Sequence, residues 1–371
     1  MKLIILKNNL LEGLFSVEKS VGENSNLPIL KNVLFLAENN KIKITATNLD
    51  LAVTHYLSGK IIEEGKICIP FSLFYNIVKN LSSERIQLEQ RNHHLNIKTD
   101  NYEATIYGQN SEDFPIIPTI KVKEPSLIFK NKYFKEFLSK VIIAAQYSEV
   151  RPEISGLFIY YQDNILKFVA TDSFRLAEKT LPLESYKITK KTEKIKIIVP
   201  LKTAFELLRI IKNNDSETEL FIDSHQVLFK TENQDIVSRI IDSEFPDYET
   251  VIPKETKFEI IVNRQEMINS IRLTSIFTSR INDITLKVGD NKKFLEIFAT
   301  ESQLGENRYL IPVKLKGEKF SIVFNWRYLL DGLKIYDSEE VSLGINGVDK
   351  PALIKALEDK SLVYVLMPIK S

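Results

Sequence analysis

Leu166-Lys167-Phe168-Val169-Ala170-Thr171-Asp172 sets apolar Leu166 and Phe168 on either side of Lys167 and then runs into a small, polar end. Such a stretch predicts a strand that closes in a turn. The same ending occurs twice more. Ala46-Thr47-Asn48 follows Ile42 and Ile44, and Ala299-Thr300-Glu301 follows Leu295 and Ile297, at spacings of 124 and 129 residues. One such triplet carries little weight, but three at near-equal spacing suggest that the chain repeats a unit.

Working outward, Ile69-Pro70-Phe71, Val199-Pro200-Leu201 and Phe324-Asn325-Trp326 recur at 130 and 125 residues, and each opens a helical pattern. In the middle copy Pro200 suits a first helical turn, where its missing N–H is no loss. Ala204, Leu207, Leu208 and Ile211 then fall on one helical face. Their counterparts are Phe74, Ile77, Val78 and Leu81, then Leu329, Gly332, Leu333 and Tyr336. Upstream, Leu30-Lys31-Asn32-Val33, Ile154-Ser155-Gly156-Leu157 and Ile281-Asn282-Asp283-Ile284 form another series, and Asp113-Phe114-Pro115 and Glu244-Phe245-Pro246 close the first two units. Prolines 115, 118 and 125, then 246 and 253, punctuate the junctions. The expected organisation is therefore three domains, 1–121, 122–253 and 254–371, each about 120 residues. Each has a helix near its start, short alternating strands, a second helix and further strands. The class is α+β, with two helices per domain packed on mainly antiparallel sheets.

Composition excludes several alternatives. The 371 residues carry a formal charge of only +1, with no apolar run of membrane-spanning length and no signal-peptide pattern at the N-terminus. The single cysteine, Cys68, sits in the apolar alternation Ile67-Cys68-Ile69 and reads as a buried strand residue of a cytoplasmic protein. The six expected helices (7–21, 71–81, 130–146, 201–213, 264–280 and 325–336) together carry about +9, leaving about −8 on the remainder. Lys132, Lys135 and Lys140 oppose the apolar stripe of one helix, and Lys202, Arg209 and Lys212 repeat this on the next. Lysine-rich polar faces are often only solvated, but segregation across repeated helices suggests one positive surface. Such a surface attracts phosphates without reading bases.

Signatures of catalysis are missing. There is no phosphate-binding G-x-x-x-x-G-K-[ST] loop, no G-x-S-x-G element and no metal-ligand spacing among His55, His93, His94 and His225. His93-His94 reads as a polar hairpin turn, and acidic pairs such as Glu63-Glu64 as turn charges. No enzyme activity, cofactor or metal is expected.

Four motifs carry a family resemblance across the whole chain: Leu27-Pro28-Ile29-Leu30, Val169 to Ala177, Phe245-Pro246-Asp247-Tyr248 and the ending Tyr364-Val365-Leu366-Met367-Pro368-Ile369-Lys370. In this order they resemble the beta sliding clamp family, the beta subunits of bacterial DNA polymerase III. The resemblance implies a non-catalytic processivity factor, a head-to-tail homodimeric ring around double-stranded DNA with helices inside and sheets outside. It implies a pocket for short peptides of the replicative polymerase, the clamp loader and repair proteins, walled by Ile154, Thr171, Ser173, Phe174, Arg175, Leu176, Pro246, Val251, Val365 and Met367. Arg151 and the helix-face residues Lys132, Lys135, Lys140, Lys202, Arg209 and Lys212 would face DNA. Strand 102–107 would be an edge at the ring interface, with Ile106 packing against Ile276 and Phe277 of the other protomer.

This chain departs from the family pattern in places. Ser173-Phe174 stands where the family usually shows Gly-His, Thr250 where it often has arginine, and the loop at Asn24 lacks an arginine often used to touch DNA. Without the resemblance, core packing would be the simpler reading of each apolar pocket residue. The competing function is a three-domain peptide-binding scaffold that does not encircle DNA, and a hydrolase with a dispersed site is a third reading.

Overall fold

The turn shared by the first two repeats is built by side chains. In the computed structural model, which describes residues 1–371 except 24–25, 190–193, 290–292 and 371, the Thr47 hydroxyl donates to the Leu51 carbonyl and accepts from the Leu49 amide, both at 3.0 Å. Asn48 Oδ1 accepts from the amides of Asp50 and Leu51. Thr171 and Asp172 repeat the arrangement: Thr171 donates to the Arg175 carbonyl at 2.7 Å, and Asp172 Oδ1 accepts from Phe174 and Arg175, both at 2.9 Å. Short polar side chains that satisfy the amides of a tight turn explain why this triplet recurs. Leu49 and Ser173 occupy the same turn position, each with φ of 77°. The third copy differs. Its strand runs on through Glu301, and a wider hairpin closes with Gly305 at φ 107°.

Six α-helices occur among the described residues: α1 Lys7–Val17, α2 Phe71–Asn80, α3 Asn131–Ile142, α4 Leu201–Ile210, α5 Arg264–Thr274 and α6 Trp326–Lys334. They fall two to each repeat, as expected, but end earlier than the apolar periodicity suggests. After α1 and α5 the chain tightens into single 3-10 turns, Glu18–Ser20 and Ser275–Phe277, which keep apolar residues near helical positions while ending the α ladder. Pro200 ends strand Lys194–Pro200 and α4 starts at Leu201, so the proline precedes the helix instead of lying in its first turn. Pro70 likewise caps α2.

Two compact units result, one of Met1–Lys132, Tyr186–Thr192 and Arg209–Ile240, the other of Tyr133–Ser185, Glu193–Leu208 and Ile241–Ser371. The first holds a five-stranded sheet and a nine-stranded sheet. In the larger sheet strand Gln234–Arg239 pairs antiparallel with Leu51–Leu57, from Gln234 opposite His55 to Ser238 opposite Leu51. A strand of the central repeat thus continues the sheet of the first. Leu10, Leu14 and Val17 of α1 are fully buried in this unit, and Phe35 meets Phe74 of α2 edge to face at 5.5 Å. Cys68 is buried, and burial first, then Asp113, pushes its thiol up to about 12. It is an inert core residue.

The second unit repeats the plan with a nine-stranded and a four-stranded sheet. Here strand Arg175–Leu181 pairs with Leu362–Leu366, placing Leu176 opposite Val365. Gly332 of α6 lies against Tyr364, and a Cβ there would stand 2.5 Å from the ring. That close approach accounts for a glycine on the apolar face of the third repeat's helix. No helix among the described residues is long and apolar enough to cross a membrane.

Candidate functional site

Leu176 and Val365, neighbours on paired strands, form the floor of a cleft of about 210 Å³ in the second unit. Its sides come from three further places. Ile154 rises from the 3-10 turn Pro152–Ile154, and the Thr171–Arg175 turn supplies Thr171, Ser173, Phe174 and Arg175. A strap over the sheet supplies Pro246, Asp247, Tyr248 and Val251. The C-terminal segment closes the cleft with Met367, whose amide donates to the Phe174 carbonyl at 2.7 Å. All ten residues named from the sequence therefore line one cleft. Arg151, Asp247 and Tyr248 line it too and were not expected there.

The lining divides into a rigid part and a presented part. Leu176 and Val365 are 4% and 2% exposed, whereas Phe174 is 59% and Val251 43% exposed. Exposed aromatic and aliphatic groups beside a buried apolar floor suit a short apolar ligand better than a small polar substrate. The strap is held by its aromatics. Phe245 stacks on Phe158 with centroids 4.5 Å apart and planes within 3°, and Tyr248 packs in the same cluster with Leu176 and Val365.

Arg175 is built in from below. Its Nε donates to Asp172 at 3.0 Å, its Nη1 to Asp331 at 2.5 Å, and its guanidinium lies 4.4 Å from the Tyr328 ring centre. Arg151, expected from the sequence to face DNA, also lines the cleft, donating to Glu153 at 3.0 Å and to Ser173 at 2.6 Å. Thr250 is exposed, outside the lining, and donates to the Asp247 carbonyl.

The expected DNA-facing cations separate into different classes. Lys132 and Lys202 are exposed, and Lys135 is half-buried. Lys212 is exposed but paired with Glu12 at 2.6 Å. Lys140 is held by Glu136 at 2.8 Å and Asp337 at 2.7 Å, with its side chain only 15% exposed. Arg209 stacks on Phe15 at 4.3 Å and donates to the Phe15 and Ser16 carbonyls at the end of α1. Lys140 and Arg209, both expected to face DNA, are thus engaged by groups of their own chain, whereas Lys132 and Lys202 stand exposed. Asn24 lies outside the described residues.

Strand Glu103–Tyr107 is an edge, as expected, and so is Gly305–Pro312 in the four-stranded sheet. Ile106 cannot make the contact assigned to it, because it is 1% exposed and faces its own core. Side chains alternate along a strand, so its neighbour Tyr107, 74% exposed, is the one presented outward. Ile276 is 64% exposed and Phe277 half-buried. Among the described residues no group of three or more His, Cys, Asp or Glu could hold a metal ion.

Three repeated α+β modules with an apolar cleft beside a C-terminal strand define the class, and comparison with known proteins defines the family. Family models described as the N-terminal, central and C-terminal domains of the DNA polymerase III beta subunit match residues 1–118, 129–247 and 249–370. The chain belongs to that family of non-catalytic sliding-clamp subunits. It is 26% identical over 382 residues to the beta sliding clamp of Bacillus subtilis and 25% identical over 381 residues to that of Staphylococcus epidermidis, with all of both chains covered in each case. The crystal structure of the Bacillus subtilis DNA polymerase sliding clamp superposes with a TM-score of 0.94 at 26% identity, covering 100% of this chain and 99% of that one.

Proposed function

We infer that the chain is the subunit of a DNA sliding clamp, a processivity factor that closes around duplex DNA and tethers the replicative polymerase through the apolar cleft. The observation that carries this is the match of all three domain models in order along one chain. Domains 1–121, 122–253 and 254–371 would be the three modules, and two protomers joined head to tail would make the ring. The exposed edges Glu103–Tyr107 and Gly305–Pro312 suit that join, since unpaired strand edges are surfaces that can accept another chain's strand. Tyr107 from one side and Ile276 and Phe277 from the other would supply the apolar contact.

Closure, rather than affinity, would retain the protein on DNA. Exposed helix lysines such as Lys132 and Lys202 would meet phosphates without reading bases, permitting movement along the duplex. The cleft of Ile154, Leu176, Val251, Val365 and Met367 would seat apolar residues of short peptides from the polymerase, the clamp loader and repair proteins. Tethering raises the local concentration of each enzyme at the template. A cytoplasmic location goes with this role.

Primer extension on a long single-stranded template, with the cognate loader and polymerase, tests the reading. Addition of the protein should convert short products into long ones within a single binding event. Products of unchanged length would overturn it.

A further inference from the structure

We propose that Glu178 and Lys167, neither of which lines the cleft, are positioning residues that hold its Tyr248 wall in the geometry that receives a partner peptide. This rests on the pocket reading above and extends it to a second layer of residues. Strand register carries the first step. Val169 lies opposite Glu178 and Lys167 opposite Tyr160, so Lys167, Val169 and Glu178 share the sheet face on which the strap lies. On that face Phe158, Val169, Leu176 and Val365 are apolar and packed under Phe245 and Tyr248. Glu178, only 8% exposed, is a carboxylate in an otherwise apolar layer, where it costs free energy unless paired.

It is paired with the strap itself. The Tyr248 hydroxyl donates to Glu178 Oε2 at 2.7 Å, and Lys167 Nζ lies 3.1 Å from the same oxygen. Lys167 also reaches Glu249, the next strap residue, at 2.9 Å. Burial opposes the Lys167 charge, but Glu249 and Glu178 outweigh it, and its pKa is raised. Burial and then Glu178 drive the Tyr248 phenol far above its ordinary value, so it remains a donor at all working pH. Two strap residues are thus tied to two sheet residues by charged groups. The Phe245 and Tyr248 rings alone would hold the strap down but would let it slide. Because Pro246, Tyr248 and Val251 form one side of the cleft, a strap that samples other positions lowers the binding-competent fraction, and apparent affinity falls in proportion.

The test uses the full-length protein, a dye-labelled synthetic peptide carrying the clamp-binding segment of the cognate polymerase, and backbone hydrogen exchange without peptide. Tyr248→Phe keeps the ring and removes only the hydroxyl. Affinity should fall about five- to tenfold, with faster exchange confined to residues 248–252. Glu178→Leu should match it, and adding Tyr248→Phe to Glu178→Leu should cause no further loss. Glu178→Gln, which keeps an acceptor for the phenol, should stay within about twofold of wild type. Met367→Ala is the control: it should abolish binding while exchange at 248–252 stays unchanged. Loss of binding in Met367→Ala with wild-type affinity and exchange in Tyr248→Phe would overturn the positioning role and leave the pocket standing. Undiminished binding by Met367→Ala would overturn the pocket reading and this inference with it.

Discussion

Arg151 Nη1 donates to the Ser173 hydroxyl at 2.6 Å, joining the 3-10 turn at one end of the cleft to the strand turn at its mouth. Ser173 holds that position with φ of 77°, a region that favours glycine, and its hydroxyl gives the turn a function beyond shape. Glycine, the family's usual residue here, should fold equally well. Ser173→Gly is expected to stay within about 0.5 kcal/mol of wild type by urea unfolding, strain relief offsetting added chain entropy. Ser173→Val, β-branched at a positive φ, should lose about 1–3 kcal/mol.

Met367→Ala should remove peptide binding at little expense in stability, because Met367 is half-buried. Leu176→Ala is a different experiment. At 4% exposure Leu176 is core, and its truncation should cost about 2–5 kcal/mol of stability along with binding. Thermal unfolding and peptide titration of both single variants separate the two effects.

Charge reversal should divide the helix cations by environment. Lys132→Glu and Lys202→Glu alter exposed residues, and are expected to leave the melting temperature unchanged while weakening DNA association and flattening its salt dependence. Lys140→Glu and Arg209→Glu should lower stability instead, because Lys140 is clasped by Glu136 and Asp337 and Arg209 caps α1. Calorimetry and salt-titrated DNA binding on the four variants check this division.

His55 sets a pH dependence. Burial first, with Glu12 opposing and Lys212 adding to it, lowers its pKa from 6.5 to about 4. The unfolded chain therefore binds a proton more readily than the folded one below about pH 6.5. Its contribution is fully present above that pH and is lost as pH falls toward 4, by roughly 3 kcal/mol in all. Urea unfolding between pH 7 and 4 should show this loss, and His55→Gln should flatten it.

The repeat was legible because its marks are local: in the first two copies a threonine followed by Asn or Asp satisfies its own turn, while the third, Thr300-Glu301, kept the spacing but not the turn. Helix starts were legible for the same reason, while helix ends were not, since a 3-10 turn such as Ser275–Phe277 keeps apolar spacing while breaking the α ladder. Cleft residues from four separated segments could be named only through the family resemblance, because no local pattern reveals that Ile154 and Met367 converge. The surroundings of the charged residues were hidden for the same reason. Net charge along a helix does not show that Asp337 waits for Lys140 from almost two hundred positions away, nor that Phe15 and the end of α1 receive Arg209. Ile106 failed on strand parity, which a single edge residue cannot disclose without its partners. Tyr248 was quoted in a motif, but nothing local showed that its hydroxyl meets Glu178, a carboxylate 70 positions away under the strap.

Retention on DNA tests the central claim most directly. The protein is loaded onto nicked circular duplex by the cognate loader, freed of unbound molecules, and followed before and after a single cut linearises the circle. A closed ring stays on the circle and leaves the cut molecule rapidly through its ends. Equal loss from circle and line would contradict encirclement and leave a peptide-binding scaffold in its place.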